Sequence, residues 1–341
     1  MEISKLLAPP RSTANPAPAR PANSVRRTSS IDVSWPDGIE GSRLVQGRVR
    51  DYHTGRTGGP GTVLGEAWME ATLDADKTIS AISANEAPEA FNQLIGQRGG
   101  NHLRLFIKEV MPELISTGAP LYLALDDISG SALVSPVAWS QWHPDWIERF
   151  RETMPAGEFA NMRANKVNVC WGLQEGNTGV SSITLANPIA DADAGDLRNP
   201  SDPEGWHELP AIDGPGFRRA RRIDVSRDDA SGVIRVNSSF QDSSATRDGG
   251  RIAIHEYLLT AEIDAETLEL RTLVPEPRIL PFPECPGAVA NTRRLIGRKI
   301  TEVRTDVLDL LRGPDGCTHL NDALRAMAEV PILAEHLAAE S

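Results

Sequence analysis

Two segments of the chain, GVIRVNSSF at 232–240 and IAIHEYLLTAEID at 252–264, alternate apolar and polar residues and are rich in β-branched side chains. That period of two predicts half-buried strands, and DAET at 264–267 supplies a turn after the second of them. Further on the period changes. Leu295, Ile296, Ile300, Val303, Val307, Leu310 and Leu311 recur at helical spacing, which predicts a helix over 288–311 stopped by Gly313-Pro314. A second helix is expected from Thr318 to Glu329, ended by Pro331.

The same plan occurs earlier in the chain. VQGRVRDYHTG from Val45, VLGEAWMEATLDADKTISAIS, NQLIGQRGGNHLRLFIKEVMPEL and GAPLYLALDDISG follow one another as VNSSFQD from Val236, IAIHEYLLTAEIDAETLELRTL, RRLIGRKITEVRTDVLDLL and GPDGCTHLNDALR do. Asp51 aligns with Asp242, Leu73-Asp74 with Ile263-Asp264, Leu94-Ile95-Gly96 with Leu295-Ile296-Gly297, and Asp127 with Asp322. Matches in a fixed order are the mark of an internal repeat. The fold class expected is therefore α+β, with two tandem repeats, each a small antiparallel sheet followed by two helices, packed as a pseudo-dimer. The organisation expected is a disordered tail over 1–30, an N-terminal repeat over 31–150, a connecting segment over 151–215 and a C-terminal repeat over 216–335. Within the connecting segment, KVNVCWGLQEGNTG and SSITLANP can supply strands, and DADAGDLRNPSDPEG reads as a surface loop or linker.

Composition narrows the function classes. With 341 residues and 40% hydrophobic content the chain can bury a sizeable core. Its three cysteines, Cys170, Cys285 and Cys317, are odd in number and widely spaced, which points to a reducing, cytoplasmic setting rather than a disulfide framework. A net charge of −12 opposes nucleic-acid binding, and the basic runs Arg26-Arg27 and Arg218–Arg222 are too short to overturn it. No apolar stretch approaches membrane-spanning length, so neither nucleic acid nor membrane is an expected partner. The expected partner is a small-molecule substrate, and a homodimer is compatible with the composition. GRTGGPGT at 55–62 lacks the Lys-Ser/Thr of a phosphate-binding loop, and there is no dinucleotide fingerprint, GxSxG elbow or HExxH.

The series FQD, IHEYLLTAEID, FPECP, RRLIGRKI and GCTHLNDAL resembles a bacterial family catalogued as a domain of unknown function (domain of unknown function 2889), whose hallmark is a terminal GCTHL. The resemblance is strong over about 217–330 and implies that the polar residues of the second repeat belong together, without supplying an activity. The first repeat departs from it: Tyr122 stands where Cys317 does, Ala124 where His319 does, Gly65 where His255 does, and FPECP has no counterpart. On this reading the chain resembles a fused, diverged duplication.

Candidate chemistry gathers in that second repeat. Thr318 can cap the helix that follows it, placing Cys317 at a helix N-terminus where the macrodipole favours a thiolate; a small cysteine plugging the turn is the plainer alternative. His255 shares a strand face with Tyr257 and is a candidate acid/base, as is His319. His255, Cys285, Cys317 and His319 are donor types that suit zinc, although the C-x-H spacing does not itself select a metal, so the cofactor expectation is none or zinc. Asp51 and Tyr122 are the polar candidates of the first repeat, and Asp126-Asp127 can bind, act as base or cap a helix. Trp139, Trp142 and Trp146 would share a helix face, as core packing or as the wall of a pocket for an aromatic substrate. These features favour a lyase using side-chain acid/base chemistry, zinc-assisted or not, on an organic catabolic intermediate, with an aromatic, lignin-derived compound as one guess. A hydrolase using Cys317 ranks second among enzymes, and a non-catalytic binding or regulatory module with structural Cys and His is the alternative.

Overall fold

The computed structural model describes residues 12–152, 157, 161, 164–181 and 192–338. Eight strands form one sheet: β1 (Ser24–Ser34), β2 (Arg43–Thr54), β3 (Thr62–Leu73), β4 (Ile79–Ala84), β5 (Gly216–Asp228), β6 (Val233–Ala245), β7 (Arg251–Asp264) and β8 (Leu270–Ile279). Their order is β4-β3-β2-β1-β5-β6-β7-β8, and every pairing is antiparallel. Two four-stranded meanders thus meet along β1 and β5, and the class is α+β. The helices α1 (Asn101–Val110), α2 (Pro112–Ser116), α3 (Pro120–Val134) and α4 (Trp146–Glu152) follow the first meander; α5 (Val303–Leu310), α6 (Thr318–Arg325) and α7 (Val330–Ala338) follow the second.

The strands predicted from alternation appear as β6 and β7, and the Asp264 carboxylate accepts the Glu266 and Thr267 N–H groups to build the expected turn. The helix expected over 288–311 is broken instead. A 3₁₀ helix covers Cys285–Leu295, Gly297 takes a left-handed φ of 79°, and α5 begins only at Val303. Pro331 does not end a helix; it lies in the first turn of α7, where its missing N–H costs nothing.

Central strands β1 and β5 are buried on both faces although they are rich in arginine. The two short basic runs, Arg26-Arg27 and Arg218–Arg222, are therefore interior. On one face Arg26 holds Asp224 at 2.5 and 2.9 Å while Arg218 holds Asp32 at 2.6 and 2.7 Å, two reciprocal ion pairs across the β1–β5 seam. Each pair is a bidentate guanidinium–carboxylate fork, the geometry that best compensates for desolvation. On the other face, packed against the helices, Arg27 grips Asp51 from β2 and Arg219 grips Asp242 from β6.

Two expectations about the organisation of the chain are corrected. Residues 24–30 belong to β1 rather than to a disordered tail, and the chain before it is tied down, with Arg20 paired to Asp202 and the Ala14 N–H bonded to Glu256. The polar stretch read as a surface loop or linker is largely exposed, but it buries Ala194 and Leu197 on the sheet face opposite the helices, and just beyond it Trp206 is buried and His207 bonds Ser30 and Thr28 at 2.8 Å. KVNVCWGLQEGNTG forms turns and a 3₁₀ helix at Trp171–Leu173 rather than a strand, while 182–188 of SSITLANP lies outside the described residues.

Candidate functional site

Strand register brings the first two site residues together. Asp242 on β6 lies directly opposite His255 on β7, at a bulge between Asp242 and Ser243. Bulges re-aim side chains and recur beside active sites. His255 Nδ1 sits 3.1 Å from Asp242 Oδ2, and Arg219 holds both oxygens of that carboxylate at 2.8 and 3.0 Å. The carboxylate thus fixes the ring's orientation, and the arginine fixes the carboxylate.

Helix α6 completes the cluster. Cys317 is its N-cap residue and Thr318 its first helical residue, so the cap is one position earlier than expected from the sequence. His319 reaches back to stack on His255, with ring centroids 3.5 Å apart and planes 19° from parallel. Cys317 Sγ lies 4.0 Å from His319 Nδ1, and the Tyr257 hydroxyl donates to that sulfur at 3.4 Å. His255 is buried, whereas the His319 side chain keeps 18% of its surface exposed and is the group of the cluster that meets solvent.

Environment separates these groups electrically. Burial opposes ionisation of Asp242, yet Arg219 and His255 hold its carboxyl well below the usual carboxylate range. Burial together with the neighbouring His255 pushes the His319 imidazole down, so it favours the neutral form. Burial would raise the Cys317 thiol, but the His319 imidazole, the Tyr257 hydroxyl and the Leu320 N–H outweigh it and bring it below its ordinary value. The other two cysteines move the opposite way: burial and the proximity of Cys317 push Cys170 up to about 11 and Cys285 higher still. Cys317 is therefore the thiol most readily ionised.

A balanced ionic network underlies the cluster. Arg219 Nη1 reaches Asp322 at 3.0 Å, Arg221 pairs with Asp127 at 2.5 Å, Arg104 with Asp322 at 2.8 Å and Arg325 with Asp126 at 2.9 Å. Asp126 and Asp127, weighed from the sequence as caps or bases, are buried in the interior of α3 and serve this network. These pairs tie α1, α3 and α6 to β5, although Arg221 Nε and Nη2 and Arg325 Nε and Nη1 are buried without a hydrogen-bond partner.

The structure gathers His255, Cys317 and His319 and adds Asp242, Arg219 and Tyr257, which were not singled out as site residues. Asp242 was legible through its alignment with Asp51; Arg219 stands in a short basic run that carries no local sign of its burial. Asp51 itself is locked to Arg27 at 2.6 Å, facing Gly65 where Asp242 faces His255. Tyr122 is buried beneath Arg304, its hydroxyl 3.4 Å from Asp126. Cys285 starts a 3₁₀ helix beside Gly172. The tryptophans do not share one helix: Trp139 packs edge-on against Trp35 at 5.7 Å, Trp142 donates to the Ala245 carbonyl, and Trp146 is buried on α4. Asp242, His255 and His319 each offer a ligand atom, all within 4.8 Å of one another. Imidazole lone pairs lie in the ring plane, however, and two nearly parallel stacked rings cannot aim both at one ion, so metal binding here requires one ring to turn.

Residues 217–333 match the family described as Protein of unknown function (DUF2889), in agreement with the resemblance carried by the FQD to GCTHLNDAL series. No curated protein and no solved structure matches the chain. Among the described residues no helix is long and apolar enough to cross a membrane.

Proposed function

We propose that the chain is a lyase that acts on a small organic molecule by side-chain acid/base chemistry at the His255–His319 pair. One observation carries this reading: two imidazoles stacked at 3.5 Å, one oriented by the Asp242 carboxylate and the other beside the Cys317 thiol. Two cations cannot share that separation in a buried setting, so the two rings do not both carry charge and at least one of them is free to accept a proton. Cys317 and Tyr257 then supply a thiolate and a hydroxyl to steady developing charge, and elimination or bond cleavage needs no further cofactor. An aromatic, lignin-derived compound remains the substrate class to try first, in a cytoplasmic setting.

The tandem-repeat, pseudo-dimer reading belongs with this proposal. It is supported by the symmetric strand order, by the reciprocal Arg26–Asp224 and Arg218–Asp32 pairs, and by bulges following both Asp51 and Asp242. On it, the first half keeps the Arg27–Asp51 pair but has Gly65 in place of the histidine, so it supports the structure while the second half acts. Zinc assistance is the second reading, favoured by the three converging ligand atoms.

A turnover screen over aromatic acids, aldehydes and alcohols, followed by mass spectrometry, tests the proposal. Activity should fall about 10²–10⁴-fold in His255→Gln and His319→Gln. Inert protein across the panel, or activity that survives both changes, would remove it. Elemental mass spectrometry on the same preparation separates the readings, because near-stoichiometric zinc lost in His319→Gln favours the metal.

A further inference from the structure

The chain's three cysteines, Cys170, Cys285 and Cys317, come from distant segments and are free thiols. The short 3₁₀ helix Trp171–Leu173 brings them together. On one side the Trp171 N–H donates to the Gly316 carbonyl at 2.7 Å, which joins the peptide group after Cys170 to the one before Cys317. On the other, Gly172 packs on Cys285 so closely that a Cβ there would lie 2.5 Å from its sulfur.

Cys170 and Cys317 are the pair with the geometry of a cross-link. Cys170, Gly316 and Cys317 are all extended, with φ of −153°, −134° and −122°. Whichever way two extended peptide groups face across one hydrogen bond, covalent geometry keeps the flanking Cα atoms about 4.5–6 Å apart. A disulfide spans roughly 4.4–6.8 Å between Cα atoms. The Thr318 N–H faces the Cys170 sulfur, so the Cys170 side chain points towards the Cys317 segment rather than away from it. Cys285 is held differently: its N–H bonds the Phe282 carbonyl at the start of a separate 3₁₀ helix, and its sulfur is pressed on Gly172.

We propose that Cys170 and Cys317 form a reversible redox pair, which a hydroperoxide oxidises to an intramolecular disulfide. The Cys317 sulfur attacks the O–O bond of the hydroperoxide; a sulfenic acid forms, and the thiol proton leaves with the departing oxygen as water or alcohol. The Cys170 sulfur then attacks the sulfenic sulfur, the S–O bond breaks, and the Cys170 proton leaves with that oxygen as water. Two thiols lose two electrons and the peroxide bond gains them. A dithiol reductant reverses the change through a mixed disulfide. Solvent adjoins the pair on both sides: Cys170 is partly exposed, and Cys317 neighbours the His319 side chain, which is 18% exposed. The bond engages the sulfur that now meets Tyr257 and His319, so oxidation removes the thiol from the candidate site. This pairing stands whether or not the lyase reading holds.

Treating the folded full chain with hydrogen peroxide, then alkylating it under denaturing conditions for mass spectrometry, tests the proposal without turnover. Alkylatable thiols should fall from three to one with the loss of two hydrogen atoms, and non-reducing peptide maps should join the Cys170 peptide to the Cys317 peptide. Dithiothreitol should restore all three thiols. Cys285→Ser should keep the link, Cys170→Ser should stop at a Cys317 sulfenic acid that dimedone traps, and Cys317→Ser should form neither. Circular dichroism follows the fold throughout, and the wild-type map decides alone where a variant fails to fold. A cross-link to Cys285, a link between chains, or a link that appears only after the native spectrum is lost would overturn the proposal. So would Cys317 carried to sulfinic acid beside a free Cys170, or three thiols left intact by peroxide in large excess.

Discussion

Arg219 holds Asp242 through two parallel hydrogen bonds of 2.8 and 3.0 Å, and both side chains are essentially excluded from solvent. The same guanidinium also reaches Asp322 and Asp127, so one arginine ties β5 to β6, α6 and α3. Removing one member of such a buried pair leaves an uncompensated charge. Arg219→Met should lower unfolding stability by about 3–5 kcal/mol, and the double change with Asp242→Asn should recover part of that loss. Chemical denaturation of the four proteins of the cycle measures it; additive losses would show that the pair is not coupled.

Gly130 sits inside α3, where replacing glycine by alanine ordinarily stabilises a helix by roughly 0.5–1 kcal/mol. Here a Cβ would lie 2.2 Å from Arg219 Nη1 and 2.9 Å from Asp322 Oδ2. Because Arg219 is held by Asp242, it cannot withdraw without breaking that fork. Gly130→Ala is therefore expected to destabilise by about 1–3 kcal/mol, reversing the usual sign. Thermal melting of the single variant decides between the two signs.

Cys317 differs from the other thiols in the direction its environment drives it. Thiolate absorbance near 240 nm, taken as the difference between wild type and Cys317→Ser, should rise with a midpoint below the ordinary thiol value of 9.0. Cys170 should ionise only near 11, and Cys285 above that. A difference spectrum with a midpoint at or above 9 would argue for the buried plug at the helix entrance.

His207 gives the fold an acid sensitivity apart from the site. Burial, reinforced by Arg50, Arg218 and Arg48, lowers its imidazole to about 3, whereas in the unfolded chain it takes a proton near pH 6.5. Between those values the unfolded chain binds more protons, so stability declines as pH falls, by about 1.4 kcal/mol per pH unit, and the loss levels off below about 3. From pH 7.5 to 5.0 the expected loss from this residue is roughly 2 kcal/mol. Urea unfolding across that range should show a flatter profile in His207→Gln, and equal slopes in the two proteins would remove His207 as the cause.

Strands β6 and β7 were readable in the sequence because each keeps a period-two pattern that needs no knowledge of its neighbours. Strand register sets Asp51 opposite Gly65 and Asp242 opposite His255. Within the candidate site, GCTHL placed Cys317 two residues from His319 at a helix entrance, and the fold sets Cys317 Sγ 4.0 Å from His319 Nδ1.

Local pattern determined those features because a short-range period is written in consecutive residues. Tertiary structure alone decided the central strands and the site's electrostatics. SVRRTSSIDVS has no apolar period and its first seven residues fall in the expected tail, yet it is buried because a carboxylate 198 residues from Arg26 and an arginine 186 residues from Asp32 complete the forks of the β1–β5 seam. A buried arginine and a surface arginine are the same letter. Only the long-range pairing of Arg219 with Asp242, and of Asp242 with His255, turns a basic run, an aspartate and a strand histidine into one oriented cluster, because Coulomb attraction between buried groups acts through space rather than along the chain.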